Sequence, residues 1–296
     1  MKNQLKATTL ESKFPLLAVE QDCIISKDAD ITVGYRVELP ELFTVTSPEY
    51  EAIHSSWLKA VKVLPNYTIV HKQDWFIEEK YTPQVSDDAI FLNRSFERHF
   101  NERPYLNHTC HLFITKTTKE RSRTQSNFNA LTRGFIIPKE MKDREVVVKF
   151  MESCEQFERI VNDSGFVRIA RLTSDEIVGT ETQAGIIEKY FSLSQTDTTC
   201  LQDITLGAGE MKIGDNFLSL HTLSDPDDLP GDVYTDTRYE RLSTDRSDCR
   251  LSFAAPVGVL LTCNHIYNQY LFIDDAAENL KRFEKQARNM HSLSKY

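Results

Sequence analysis

Three aspartates, Asp225, Asp227 and Asp228, lie close together in a segment that also contains prolines. Close carboxylates suit hard divalent cations, and His221, just upstream, could act as a general base. The prolines do not fit the spacing of an EF-hand loop, and the spacing pairs no nucleophile with His221. A solvated turn is therefore the favoured interpretation, and the alternative is a free-standing metal-dependent enzyme that uses the acidic cluster near Asp225.

A second group of potential ligands is His108, Cys110 and His111. Zinc takes these residue types, but a tetrahedral site needs a fourth ligand that the neighbouring sequence lacks. The alternation of the segment favours a half-buried strand instead. We predict no metal site here.

Nucleotide chemistry needs a glycine-rich loop that ends in lysine, because that loop and its lysine hold the phosphates. None of the ten glycines is followed by lysine. We therefore predict that this segment has no catalytic or cofactor-binding residue and neither binds nor hydrolyses ATP.

The segment from Thr117 to Asn127 is polar and has no apolar periodicity, which predicts an exposed loop. Its basic residues could contact DNA phosphates or dock a protein. No aromatic residues are interleaved to stack on bases, so protein docking is favoured and direct DNA binding is not. The candidate docking residues are Lys116, Lys119, Arg121 and Arg123.

Charge is unevenly distributed in a chain whose formal net charge is -9. Residues 116–149 contain nine basic and four acidic residues, whereas residues 175–236 contain two basic and thirteen acidic ones. An acidic chain is atypical of nucleic-acid modules. Two faces of opposite sign predict association with other proteins or with further copies of the chain.

The six cysteines are scattered without a CxxC pair, which favours reduced thiols inside the cell. The short apolar patch Phe14 to Val19 is too brief for a signal-peptide core. Both observations predict a cytoplasmic location.

The elements that must position these residues follow from hydrophobic periodicity and turn signals. In the first part of the chain they alternate strands and helices. The predicted strands are Phe14 to Ser26, Ile31 to Leu39, Tyr67 to Glu78 and Leu106 to Thr115, and the predicted helices run from Ser47 to Leu64 and from Phe91 to Phe100.

The second part repeats this alternation loosely. A helix is predicted from Arg144 to Val161, followed by a strand from Phe166 to Leu172 and by a capping box at Thr173-x-x-Glu176. A hairpin turns at Gly214-Asp215-Asn216. The last helix places Ala276, Leu280, Phe283, Ala287 and Met290 on one face.

The most apolar stretch is Leu251 to Ile273. Its alternation predicts two strands in the centre of the core, with a bend near Pro256 and Gly258. A bilayer needs about 18 to 20 apolar residues, so an interrupted run of this length does not predict a membrane span. Under this prediction, a charge at Leu261 would unfold the domain.

The predicted fold class is α+β, with mostly antiparallel sheets, packed helices and two related halves. The first half spans residues 1–116, an exposed basic connection spans 117–142, and the second half spans 143–296. The last residues have no tail composition, so we expect the natural chain to continue past Tyr296.

Several long stretches resemble the N-terminal region of the TraG family of conjugative-transposon ATPases, which are related to the motors of type IV secretion. The resemblance covers essentially the whole chain. It rests on KATTLESKFPLLAVE, HFNERPYLNH, KTTKERSRTQSNF, LSTDRSDCRLSFAAPVGVLLTCNHIYNQYLFIDD and ARNMHSLS.

The resemblance implies a C-terminal motor with Walker motifs, peripheral at the cytoplasmic face of the inner membrane and oligomeric. The nucleotide-binding residues of that family have no counterpart here, so no catalytic residue is carried over. The implied role of this region is non-catalytic docking to inner-membrane components of type IV secretion and to its own neighbouring subunits during DNA transfer.

Overall fold

The computed structural model shows an α+β fold of helices and antiparallel sheets, which confirms the predicted class. It describes residues 14–40, 45–81, 90–101, 104–118, 143–192, 203–207, 209–223, 237–238, 240, 243–248, 250–251 and 261–293.

A seven-stranded sheet organises the molecule, with the strand order β1-β2-β3-β5-β4-β12 and β6 added beside β3. Every neighbouring pair is antiparallel. The strands of this sheet are β1 (Leu16–Glu20), β2 (Cys23–Ser26), β3 (Ile31–Glu38), β4 (Thr68–Lys80), β5 (Pro104–Lys116), β6 (Arg168–Arg171) and β12 (His265–Ile273).

Two smaller sheets complete the strands. The predicted hairpin at Gly214 is confirmed as the turn between β8 and β9, with φ of 58° at that glycine. The remaining strands are β7 (Ile204–Leu206), β8 (Met211–Ile213), β9 (Asn216–Leu218), β10 (Thr237–Arg238) and β11 (Arg250–Leu251).

Six helices lie within the described residues: α1 (Ser47–Lys62), α2 (Phe91–Asn101), α3 (Arg144–Asp163), α4 (Ser174–Val178), α5 (Ile186–Ser192) and α6 (Ala276–Leu293). The first begins at Ser47, as predicted, and its N-cap is Thr46, which forms a capping box with Glu49.

The core lies between one face of the large sheet and helices α1 and α3. Phe150 and Phe157 of α3 are completely buried, and Phe157 meets Trp57 of α1 edge to face at 5.7 Å. The Tyr35 hydroxyl on β3 donates to the Cys154 carbonyl at 3.3 Å. The helical periodicity of α3 therefore predicted its buried face correctly.

The predicted strand from Phe14 to Ser26 is wrong, because it is a hairpin of two short strands. Gln21 and Asp22 both adopt positive φ, 51° and 60°, and so form the turn. The Asp22 carboxylate accepts hydrogen bonds from the Ser174 backbone N–H and hydroxyl at 2.6 and 2.9 Å. A contact 152 residues away in sequence thus fixes this turn.

The predicted central position of Leu251 to Ile273 is also wrong. β12 lies at the end of the strand order and is hydrogen-bonded to β4, its only strand partner among the described residues. Leu261 is 42% exposed outside any strand, and residues 252–260 lie outside the described ranges. Apolar alternation predicts a strand, but it does not determine the strand's place in the sheet.

The two predicted halves contribute to one sheet, since β6 and β12 come from the second half. Thr117 and Thr118, placed in the predicted exposed connection, are buried. The Thr117 backbone N–H donates to the Tyr67 carbonyl at 3.0 Å, which explains why the chain remains packed there. Residues 119–142 lie outside the described ranges.

Candidate functional site

A cleft of about 510 Å³ lies where the large sheet meets α4 and α5. Its floor contains Trp75 of β4 and His111 of β5, and its walls include Arg36 of β3, Glu176 of α4 and Lys189 of α5. Leu172, which precedes α4, also lines the cleft. Gly34 of β3 lets this side chain approach the sheet, because a Cβ at Gly34 would lie 2.8 Å from Leu172 Cδ1. The cleft is therefore mixed in charge with an aromatic floor.

An ion pair crosses the cleft wall. Arg36 Nη1 lies 2.8 Å from Glu176 Oε1, and both side chains are partly exposed. The Thr173 backbone donates to Glu176 at 2.9 Å, and this hydrogen bond holds the pKa of the Glu176 carboxyl below its usual range. The predicted capping box is confirmed, and it also orients this carboxylate.

His111 contributes a buried imidazole beside the cleft. Burial is the main cause that lowers the pKa of His111 to about 4, and the nearby Lys189 and Arg36 cations act in the same direction. The ring is therefore neutral at neutral pH. Its buried Nδ1 has no hydrogen-bond partner among the described residues, and Trp75 meets the ring edge to face at 6.2 Å.

Asp74 links two basic side chains on the opposite face of the sheet. Its carboxylate is paired with Lys72 and lies 2.9 Å from His108 Nε2. Burial would raise the pKa of Asp74, but the His108 hydrogen bond and the Lys72 ammonium outweigh it and lower that pKa to about 2. Burial raises the pKa of the neighbouring Cys110 thiol to about 12, so this thiol is not activated as a nucleophile.

The half-buried strand predicted for His108, Cys110 and His111 is confirmed as β5. Cys110 is buried and free, and the side chains of His108 and His111 lie on opposite faces of the sheet because they are an odd number of positions apart. Within the described ranges, no three His, Cys, Asp or Glu residues are placed to hold a metal ion.

His221, the predicted general base, is exposed, and its Nε2 lies 3.2 Å from the Ser219 hydroxyl. Asp225, Asp227 and Asp228 lie outside the described residues. The structure therefore brings no described acidic partner to His221.

Lys116 is not the exposed docking residue that the sequence predicted. Its side chain is buried, and the ammonium donates to the Asn66 and Thr117 carbonyls at 2.7 and 3.1 Å. These carbonyls come from the chain before β4 and after β5, so Lys116 ties two segments together. The other predicted docking residues, Lys119, Arg121 and Arg123, lie outside the described ranges.

Helix α6 carries the apolar face that the sequence predicted for the last helix. Its N-terminus is capped by Asp275, which accepts from the backbone N–H groups of Ala277 and Glu278 at 2.9 and 3.0 Å. Leu280, Phe283 and Met290 lie on one stripe and are all more than half exposed. The predicted apolar face exists, and among the described residues no element buries it.

Helix α2 shows the same property on a smaller scale. Phe91, Leu92 and Phe96 are exposed, and the helix has no buried residue. Phe100 packs against Phe96 with ring centroids 4.5 Å apart.

A family model described as "Domain of unknown function, B. Theta Gene description (DUF3875)" matches residues 3–55. This segment includes β1 to β3 and the start of α1. No curated protein matches the chain significantly.

Of the helices that the structure describes, none combines the length and the apolar character that crossing a bilayer requires.

Proposed function

We propose that this chain is a non-catalytic docking and assembly domain of a conjugation ATPase. It links the motor to the inner-membrane channel and to neighbouring subunits during DNA transfer. The observation that carries the proposal is the exposed apolar stripe of α6, and the resemblance to the TraG family supports its place in a conjugation machine.

The stripe has the spacing of a helix-pairing seam. Its residues follow at intervals of four, three, four and three: Ala276, Leu280, Phe283, Ala287 and Met290. This is the heptad interval that keeps one face turned toward a partner helix along its length. Two alanines among larger residues allow a close approach of the partner backbone.

Leaving such a stripe in water is unfavourable. Burying one large apolar side chain contributes about 1.5 to 3 kcal/mol of free energy. A partner that covers Leu280, Phe283 and Met290 therefore gains about three times this free energy, from which the cost of association is subtracted. We therefore propose that a helix of a channel component occupies the stripe. Through that contact the domain is held peripherally at the cytoplasmic face of the inner membrane.

The test places charge on the stripe without touching the core. Leu280→Glu with Phe283→Glu should reduce the frequency of DNA transfer between cells at least about 100-fold, the equivalent of losing about 2.7 kcal/mol of docking energy. The matched control is Lys281→Gln with Lys285→Gln, which makes the same change in net charge on the exposed opposite face and should leave transfer within about twofold of the parent.

Both proteins must melt within a few degrees of the parent, because every substituted side chain is exposed. If the stripe variant transfers DNA at the parental frequency while it is present at the parental level, the docking proposal is wrong.

The non-catalytic part of the proposal has its own measurement. Calorimetric titration of the purified chain with ATP and magnesium should give no heat of binding, because the sequence has no glycine-rich loop followed by lysine. Binding with a micromolar dissociation constant would contradict this part alone.

A further inference from the structure

We infer that β12 is the edge at which a second copy of this chain pairs. The two β12 strands join antiparallel about a twofold axis that passes beside Gln269, and the sheet continues across both copies. This inference rests on the proposed docking function, since it names the surface that meets a neighbouring subunit.

The backbone of β12 has one side directed away from the sheet. The Ile273 carbonyl accepts from the Tyr67 N–H at 2.6 Å, so the backbone of Ile273 faces β4. On the same side, the Glu78 N–H donates to the Asn264 side chain at 2.7 Å. In an antiparallel ladder, backbone direction alternates with each residue. The residues whose N–H and C=O groups face outward are therefore Ile266, Asn268, Tyr270 and Phe272.

This edge lacks the features by which proteins prevent edge pairing. Edge strands are normally short, bulged, or interrupted by lysine, proline or inward-pointing charge. β12 has nine residues in an uninterrupted one-to-one register with β4. Its sequence, HIYNQYLFI, contains no proline and no Asp, Glu, Lys or Arg, in a chain that is 27% charged. The strand is therefore competent to accept another strand.

The sequence of β12 is complementary to itself in one register. When Gln269 lies opposite Gln269 of the second copy, Ile266 lies opposite Phe272 and Asn268 lies opposite Tyr270. All four outward residues then exchange both of their backbone hydrogen bonds with the second copy. A shift by two residues in either direction leaves one outward residue of each copy without a partner inside β12. The best register therefore places the twofold axis at Gln269.

The side chains agree with this register. On one face, Ile266 and Phe272 pair as apolar neighbours, and on the other face Tyr267 lies opposite Leu271. No like charges face each other, although each copy carries a net charge of -9. Because β12 contains no Asp, Glu, Lys or Arg, two highly charged copies can meet at this strand without placing like charges opposite each other. This favours a second copy as the occupant.

The edge is also held in place before pairing. The Asn268 side chain lies 2.8 Å from His71 Nε2 and 2.9 Å from Gln73 Nε2, and the Tyr270 ring stacks on His71 at 4.2 Å. Tyr270 is nevertheless 57% exposed. Strand pairing therefore covers apolar surface while ordering few additional groups.

The test uses disulfide formation at the twofold axis in the purified 296-residue chain. The background protein carries Cys263→Ser, because Cys263 is an exposed free thiol that could itself cross-link. In the inferred register, Gln269 lies opposite Gln269 of the second copy as a non-hydrogen-bonded pair. The two Cα atoms are then about 4.5 Å apart, and a disulfide can span this distance. Gln269→Cys should therefore give a covalent dimer under mild oxidation, above the level of the Cys263→Ser background.

The matched control is Leu271→Cys on the same face of the same strand. In the inferred register the two copies of residue 271 lie about 14 Å apart, too far for a disulfide. Leu271 is exposed, whereas Gln269 is half-buried, so random collisions would cross-link the control first. A dimer from Gln269→Cys alone supports the inference, and equal cross-linking of both variants or of neither overturns it.

Amide exchange on the unmodified chain provides a second measurement that does not depend on any variant. Protection of the Ile266, Asn268, Tyr270 and Phe272 amides should rise at least tenfold as protein concentration rises through the dimer transition. Exchange that stays fast at every concentration overturns the inference. Protection that is independent of concentration also overturns it, because another segment of the chain then covers the edge. Neither measurement depends on α6 or on DNA transfer, so its failure is distinguishable from failure of the proposed function.

Discussion

Helices α3 and α6 have the same design in sequence but opposite environments in the structure. Both are long, both are amphipathic, and both are capped by an aspartate, Asp143 and Asp275. The stripe of α3 is covered by α1 and the sheet, and Phe157 is 0% exposed. The stripe of α6 is in water, and Phe283 is 56% exposed.

The difference shows that periodicity determines which face of a helix is apolar but not what covers that face. For α3 the cover lies in the same chain, because α1 and the strands supply matching apolar residues. For α6, the described residues supply no such cover. An apolar face that stays exposed in this way is a typical mark of an interaction site.

The strongest way to break this comparison is to truncate one phenylalanine in each helix. Phe157→Ala should lower the free energy of unfolding by about 3 to 5 kcal/mol, because it removes a fully buried ring and leaves a cavity. Phe283→Ala should change it by less than about 0.5 kcal/mol, because the ring is already largely in water. Urea unfolding of both variants measures the contrast, and equal losses would show that α6 is packed within the chain.

His111 extends the comparison between buried and exposed side chains to a titratable group. Its imidazole is buried where the large sheet meets α4 and α5. Its pKa is about 4 in the folded chain, compared with about 6.5 when it is unfolded. The unfolded chain therefore binds more protons between these pH values, so stability falls as the pH is lowered from 6.5 to 4 and does not change above 6.5 from this cause.

The loss attributable to His111 is about 3 kcal/mol, from a difference of roughly 2.5 pKa units. Urea unfolding at several pH values should show a clearly shallower decline for His111→Gln than for the parent. Burial also lowers the pKa of His71, and that contribution remains in both proteins. Identical pH profiles for the two proteins would contradict the assigned burial of His111.

The smallest expected effect is at Leu261, where the sequence predicted a core residue and the structure shows an exposed one. Leu261→Asp should shift the free energy of unfolding by no more than about 0.5 kcal/mol, since the aspartate remains solvated. A thermal melt is sufficient. A large destabilisation would restore the original prediction that Leu261 belongs to the core.

Local signals predicted much of the fold. The helix from Arg144 and the capping box at Thr173 were predicted from residues within a few positions of each other, and both are confirmed. Turn chemistry likewise predicted the hairpin at Gly214. Such features depend on neighbouring residues alone, which is why one sequence is enough to find them.

Features set by distant residues were not predictable in this way. Lys116 is buried because carbonyls near residue 66 receive its ammonium, about 50 positions away. Asp74 is buried because His108, 34 positions away, donates to it. The edge position of β12 depends on which strands pair with β4, and no local pattern encodes that choice.

The cleft was missed for a related reason. Its residues come from β3, β4, β5, α4 and α5, and each looks like an ordinary strand or helix residue in its own segment. The apolar face of α6 was predicted, but the sequence did not show that it is exposed. Candidate interaction sites therefore require the three-dimensional arrangement even where every element is predicted correctly.

The central claim is that a helix of a channel component covers the stripe of α6. The most direct measurement is photo-crosslinking in living cells with benzoylphenylalanine placed either at Phe283, on the stripe, or at Lys285, on the opposite face. We predict an adduct from the Phe283 position alone, identified by mass spectrometry as an inner-membrane component of the secretion channel. No adduct from Phe283, equal adducts from both positions, or an adduct that maps to this same chain would contradict the claim.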